Sequence, residues 1–134
     1  MAKPVVLDST AVLAVLFDEP GAATVLDLLP GSLISAVNLA EIQARLLLSG
    51  HSATQTWDRV LSLGFEVMPF SEEQARFAGN LGLLGELKGR SRSRRLSLAD
   101  RACMALAIER GATVYTTNRA WKSLPIDVEV EVIA

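Results

Sequence analysis

Apolar positions along the chain fall into two rhythms. The short apolar run Pro4 to Leu7 reads as a buried first strand, and Ser32 to Ser35, Phe65 to Met68, Thr113 to Thr116 and Val128 to Ile133 read as further strands. Between them lie stretches of helical character. Ser9 is placed to cap a helix running to Phe17. Gly21 to Leu29 reads as a helix stopped by Pro30-Gly31. Val37 to Leu48 sets Leu39, Ile42 and Leu46 on one face and ends before Gly50. Ser52 with Gln55, and Ser71 with Gln74, stand at capping-box spacing and open helices towards Leu63 and Leu84. Ser97 to Arg110 is a further helix, closed by Gly111. Strands alternating with helices predict an α/β fold, with a mostly parallel central sheet of about four to five strands flanked by helices. No repeat or linker divides residues 1–134, which read as one domain.

The segment Gly85 to Arg95 breaks the pattern. Lys88, Arg90, Arg92, Arg94 and Arg95 put five positive charges into eight residues, interleaved with Gly and Ser, which predicts an exposed basic loop. That density is high for a chain of net charge −2, so the loop is a candidate for phosphate contact as well as a solvated turn.

Composition narrows the chemistry. Half of the residues are hydrophobic and 21% are charged, as in a folded globular chain. A mean hydropathy of +0.32 implies extensive burial or an apolar surface for a partner. No run is long enough to span a membrane, and the start Met1-Ala2-Lys3-Pro4 has no signal-peptide shape, so a cytoplasmic location is expected. With a single cysteine, Cys103, and a single histidine, His51, an internal disulfide, a zinc knuckle or a histidine-based triad is not in prospect. Cys103 reads as core, His51 as a surface residue at a turn, Trp57 as packing on its helix and Trp121 as an anchor for the last loop. Chemistry is left to carboxylates, amides and hydroxyls.

Four polar residues stand where an α/β fold places ligands, beyond the carboxyl ends of the strands. Asp8 follows the first strand directly and Asn118 follows Val114-Tyr115-Thr116-Thr117. Glu41 and Asp100 interrupt apolar helices within their first turns, at the same end of the sheet. Converging carboxylates raise one another's pKa unless a cation neutralises them. Oxygen donors without imidazole or thiolate select hard ions such as Mg²⁺ or Mn²⁺, and such ions suit phosphodiester hydrolysis. Each residue also has a plainer explanation. Asp8 could form an Asx turn, Asp100 could cap its helix from capping-box spacing with Ser97, and Glu41 could face solvent.

Taken together, four segments resemble the motifs of PIN domains. They are Val5-Val6-Leu7-Asp8-Ser9-Thr10, Ile34-Ser35-Ala36-Val37-Asn38-Leu39-Ala40-Glu41, Leu96-Ser97-Leu98-Ala99-Asp100-Arg101 and Val114-Tyr115-Thr116-Thr117-Asn118. They occur in order over nearly the whole chain, and within the family the resemblance is to VapC toxins. It implies an Mg²⁺-dependent ribonuclease (Mn²⁺ as substitute), a homodimer, and a cognate antitoxin covering the active site. It gives Asp8, Asp100 and Glu41 the metal-site roles, with Asn118 completing the catalytic set. Ser9 and Thr116 are expected to support it, and the charge density of the basic loop makes Arg90, Arg92, Arg94 and Arg95 candidates to track the RNA backbone. The family often has aspartate where this chain has Asn118, which weakens a second metal position. Two other readings remain at this point. One is a non-catalytic RNA- or partner-binding module. The other is a haloacid-dehalogenase-type phosphatase, whose chemistry needs a second Asp where Thr10 stands.

Overall fold

Five parallel strands form the sheet, in the order β3-β2-β1-β4-β5. They are β1 (Val5–Leu7), β2 (Leu33–Ser35), β3 (Glu66–Met68), β4 (Thr113–Thr116) and β5 (Glu129–Val132). The structure is a computed structural model that describes residues 2–84 and 96–133. Its α-helices are α1 (Ser9–Leu16), α2 (Ala22–Leu28), α3 (Ala36–Leu48), α4 (Ala53–Leu61), α5 (Glu72–Leu81) and α6 (Leu98–Arg110), with a 3₁₀ turn over Arg119–Ser123.

Side chains along a strand alternate between faces, and the sheet divides the core accordingly. Leu7 and Ile34 point to one side, where they pack with Val12, Leu39, Ile42, Leu46 and Val60 of α1, α3 and α4. Val6, Leu33 and Val114 point to the other, against Cys103, Met104 and Leu106 of α6 and against Trp121. Central strands are covered on both faces, which is why they read as unbroken apolar runs rather than alternating ones. No helix among the described residues is long and apolar enough to cross a membrane.

The strand order decides where a site can form. From β1 the chain builds outward through β2 and β3, then returns to the other side of β1 to build β4 and β5. The connections therefore leave β1 and β4 in opposite directions, which opens a crevice beyond their carboxyl ends. Asp8 and Thr116 stand at the mouth of that crevice, and the β1–β4 ladder extends one step past β1 through Asp8 N–H donating to the Tyr115 carbonyl at 3.2 Å.

Local signals hold with adjustments at the ends. Asp8, not Ser9, caps α1, its carboxylate accepting the Ala11 N–H. Ser35 caps α3 through the Val37 N–H. Ser52 precedes α4 but its side chain makes no capping bond, so the box expected with Gln55 does not form. At α5 half of the box forms. Ser71 accepts from the Gln74 N–H, while the Gln74 side chain turns to Glu109 at 3.2 Å. The 3₁₀ turn is not foreshadowed by periodicity, because one turn is too short to display any.

Candidate active site

Asp8 is 2% exposed, yet it is an acid. Three donors hold it. Its Oδ1 accepts from the Ala11 N–H at 2.9 Å and from the Thr10 hydroxyl at 2.7 Å, and its Oδ2 accepts from the Thr116 hydroxyl at 2.6 Å. The hydroxyl protons have little freedom to point elsewhere. Thr10 Oγ1 accepts the Thr117 N–H at 3.0 Å and Thr116 Oγ1 accepts the Asn118 N–H at 3.0 Å. Each hydroxyl thus receives a backbone donor and gives its single proton to Asp8. The carboxylate is fixed in rotamer and in place.

Burial still dominates its electrostatics. Desolvation pushes the Asp8 pKa up from 3.8 to about 6; the bonds from Thr116, Thr10 and Ala11 oppose that rise, and nearby Asp100 adds to it. Asp100 is half-buried, and its pKa is also raised, first by desolvation and then by Glu41, against the opposing bonds from Ser97 and the charge of Arg101. These influences form a chain from Asp8 to Asp100 to Glu41, three acids from three separate elements. Cys103 lies under the pair. Burial is the main cause of its raised pKa, and both Asp8 and Asp100 add to it. A small neutral side chain suits that position, one turn after Asp100 on α6.

The oxygen donors fit a hard divalent cation. Among the described residues no three His, Cys, Asp or Glu side chains are gathered tightly enough to enclose an ion. Mg²⁺ does not ask for that, since it keeps several waters and is commonly held by one or two carboxylates. Asp8 and Asp100, both with a pKa raised first by burial and then by a neighbouring acid (Asp100 for Asp8, Glu41 for Asp100), are the residues that could hold it.

Asp100 also serves the fold. Ser97 N–H donates to Asp100 Oδ2 at 2.9 Å and Asp100 N–H donates to Ser97 Oγ at 3.1 Å, a complete capping box at the start of α6. The two roles can be separated. Asp100→Asn keeps a side-chain carbonyl for the Ser97 N–H and should unfold in urea close to wild type, whereas Asp100→Ala should lose about 1 kcal/mol. Retention of Mn²⁺ binding by Asp100→Asn would reduce Asp100 to a cap.

Other expected residues separate from this centre. Asn118 is exposed, and its Oδ1 accepts the Ala120 N–H at 3.1 Å, capping the 3₁₀ turn. Its backbone N–H, rather than its amide, reaches the centre through Thr116. Ser9 is buried and faces Asn38, not Asp8. Arg90, Arg92, Arg94 and Arg95 lie outside the described residues. Thr10 is the residue that sequence reasoning undervalued, and its place two residues after Asp8, within Asx-turn reach, was the available signal. The same hydroxyl is committed to Asp8, so the second acid that phosphatase chemistry requires is replaced by a residue occupied in another task.

The PIN domain sequence profile matches residues 5–126. The chain belongs to the PIN domain family. The same fold recurs in solved structures. VapBC2 from Rickettsia felis bound to a DNA fragment from their promoter is similar at 22% identity and a TM-score of 0.73, over 97% of this chain and 98% of that one. DNA-bound VapBC from Salmonella typhimurium is similar at 20% identity and a TM-score of 0.70, over 98% of each. VapBC-5 from Mycobacterium tuberculosis is similar at 23% identity and a TM-score of 0.61, over 99% and 98%. No curated protein matches the chain significantly. In this PIN domain Asp8 directly follows β1, Glu41 lies in α3 and Asp100 in the first turn of α6.

One further surface of this PIN domain stands out. A groove of about 480 Å³ runs along α3, floored by Ala36, Ala40 and Ala44 and walled by Leu39, Leu47 and Trp57. Trp57 is 41% exposed there rather than packed away on its helix. Trp121, in contrast, is buried as the anchor of the last loop, and His51 lies at the surface against Phe17.

Proposed function

We propose that this chain is a metal-dependent endoribonuclease and the toxin of a type II toxin–antitoxin pair. The observation that carries the reading is the buried, hydroxyl-clamped Asp8 at the β1/β4 crevice, electrostatically joined to Asp100 and through it to Glu41. A fold that places acids together without neutralising them pays a stability penalty, which a bound cation would relieve. Family membership and the similarity to VapBC complexes support the same reading.

A bound Mg²⁺ would supply Lewis acidity to a phosphoryl oxygen and lower the pKa of water. Asp8 and Asp100 would hold it. Thr10 and Thr116 keep the Asp8 oxygens aimed, so little reorganisation is left for the moment of reaction. Glu41, partly open to solvent, flanks the substrate side. Asn118 brings no negative charge, which favours one ion over two. Arg90, Arg92, Arg94 and Arg95 enter as RNA-tracking residues on their charge and density in the sequence.

In the proposed hydrolysis the water oxygen attacks phosphorus, the bond to the ribose 3′-oxygen breaks, and that oxygen takes up a proton. Cleavage with Mg²⁺ or Mn²⁺ should therefore leave a 3′-hydroxyl and a 5′-phosphate. End-group analysis of the cut RNA checks this. Cyclic 2′,3′-phosphate ends would refute it, because they require the ribose 2′-hydroxyl as nucleophile. Absence of any cut across structured and unstructured RNA pools would favour the second reading, a non-catalytic binding module, for which the uncharged Asn118 is the supporting observation.

The apolar groove on α3 is the surface we assign to the antitoxin. By helical position it borders Glu41, so an apolar helix seated on Ala40 and Ala44 would lie beside the acids and obstruct RNA. A homodimer is part of the same proposal and would use a separate face.

A further inference from the structure

An asparagine enclosed in an apolar core needs a reason. Asn38 is 1% exposed. Its Nδ2 donates to Ser9 Oγ at 2.9 Å, from a residue 29 positions away in sequence. Its Oδ1 is buried and has no hydrogen-bond partner among the described residues. Rotating the amide would pair the carbonyl with the Ser9 hydroxyl and leave the nitrogen over instead. Either way one polar atom remains unpaired, at a cost that apolar residues of similar volume in place of both Asn38 and Ser9 would avoid. Packing alone therefore does not account for Asn38.

Its place does. Ser9 follows Asp8 directly, and Asn38 precedes Glu41 by three residues, which sets both on neighbouring positions of one side of α3. The Ser9–Asn38 bond is a rung between the chain segments that carry two of the acids. We propose that Asn38 is a positioning residue of the nuclease site proposed above, a reading on which this inference rests. Through Ser9 it fixes the spacing of Asp8 and Glu41. It touches neither RNA nor ion.

The test is calorimetric Mn²⁺ titration of wild type, Ser9→Ala, Asn38→Leu, Asn38→Thr and the Ser9→Ala/Asn38→Leu double variant, with thermal unfolding of each. Outer-shell partners of metal ligands are commonly worth 10–100-fold in affinity. Asn38→Leu should bind Mn²⁺ roughly tenfold more weakly, and the double variant, which leaves no hydroxyl stranded, should be at least as thermally stable as Asn38→Leu. Asn38→Thr, which keeps a group able to bond Ser9, should recover part of the loss. The double variant should be no worse than the worse single, because both remove one rung. If Asn38→Leu fails to fold, Ser9→Ala and Asn38→Thr still decide the matter. Wild-type affinity in the folded Asn38 and Ser9 variants would overturn the inference and leave the pair as core packing. A folded wild type that binds no Mn²⁺ would instead overturn the nuclease reading itself.

Discussion

Asp8→Asn should abolish Mn²⁺ binding and RNA cleavage while leaving a metal-free protein at least as stable as wild type at pH 7.5. The loss of activity follows from removing the charge of the central proposed ligand. Several kcal/mol of transition-state stabilisation at about 1.4 kcal/mol per tenfold corresponds to roughly a thousandfold or more. The stability effect follows from the raised pKa. An unfolded Asp8 titrates near 3.8 and the folded one at about 6. Between those values the folded state holds the extra proton, so stability falls as pH rises. The favourable contribution is complete below the unfolded pKa and lost once pH passes the folded one. The difference corresponds to about 3 kcal/mol at roughly 1.4 kcal/mol per pKa unit. An amide in place of the carboxyl has no such slope, though it fits the Thr116 hydroxyl less well and returns part of the gain. Asp100, shifted in the same direction, leaves a residual slope of the same sign in the variant. Urea unfolding in EDTA at pH 5 and pH 7.5 measures this, and Mn²⁺ should then raise the wild-type Tm alone. Equal pH slopes in the two proteins would show that Asp8 is not the group that burial perturbs.

Ala44→Glu should remove binding of an apolar, helix-forming peptide to the α3 groove and leave RNA cleavage intact. Ala36, Ala40 and Ala44 recur every four residues, so a partner helix can approach the α3 backbone closely. A glutamate at the middle of such a contact would be buried without a cation. A cost of about 3 kcal/mol for an imperfectly paired buried charge weakens binding more than a hundredfold. Trp57 is the reporter. It stands half-exposed at the groove wall, while Trp121 is enclosed and contributes a constant background. Peptide binding should blue-shift the emission of wild type and not of Ala44→Glu. Equal binding by both would place the antitoxin elsewhere. If wild type sediments as a dimer and Ala44→Glu as a monomer, the groove is the dimer face instead.

Much of this protein was legible from short-range patterns. Strand-length segments located all five strands: β1 and β2, covered on both faces, carry no charge, while the edge strands β3 and β5 carry Glu66, Glu129 and Glu131. Leu39, Ile42 and Leu46 announced the buried face of α3, and Ser97 with Asp100 announced the box that opens α6. The acids Asp8, Glu41 and Asp100 were visible as charges at the ends of apolar segments, where burial makes them expensive. Such signals reach only a few residues along the chain, and there the sequence carries its own information about caps, turns and periodicity.

What depends on the strand order was not legible. Thr116 reaches Asp8 across 108 residues only because β4 pairs with β1. The same pairing puts the Thr117 and Asn118 N–H groups where they turn two threonine hydroxyls onto one carboxylate. Asn118 looked like a member of the acid centre, yet its side chain satisfies the nearest unpaired backbone donor at Ala120. The Ser52–Gln55 box failed for a related reason. Gln43 and Thr56, from facing helices, bond one another at 3.3 Å, so α4 is tied to α3 by a tertiary contact rather than closed by a local cap. Sequence alone determined which segments would be helix and strand and which residues could be chemical. Tertiary structure decided which of them meet, because hydrogen bonds between distant side chains exist only once the sheet has brought their backbones together.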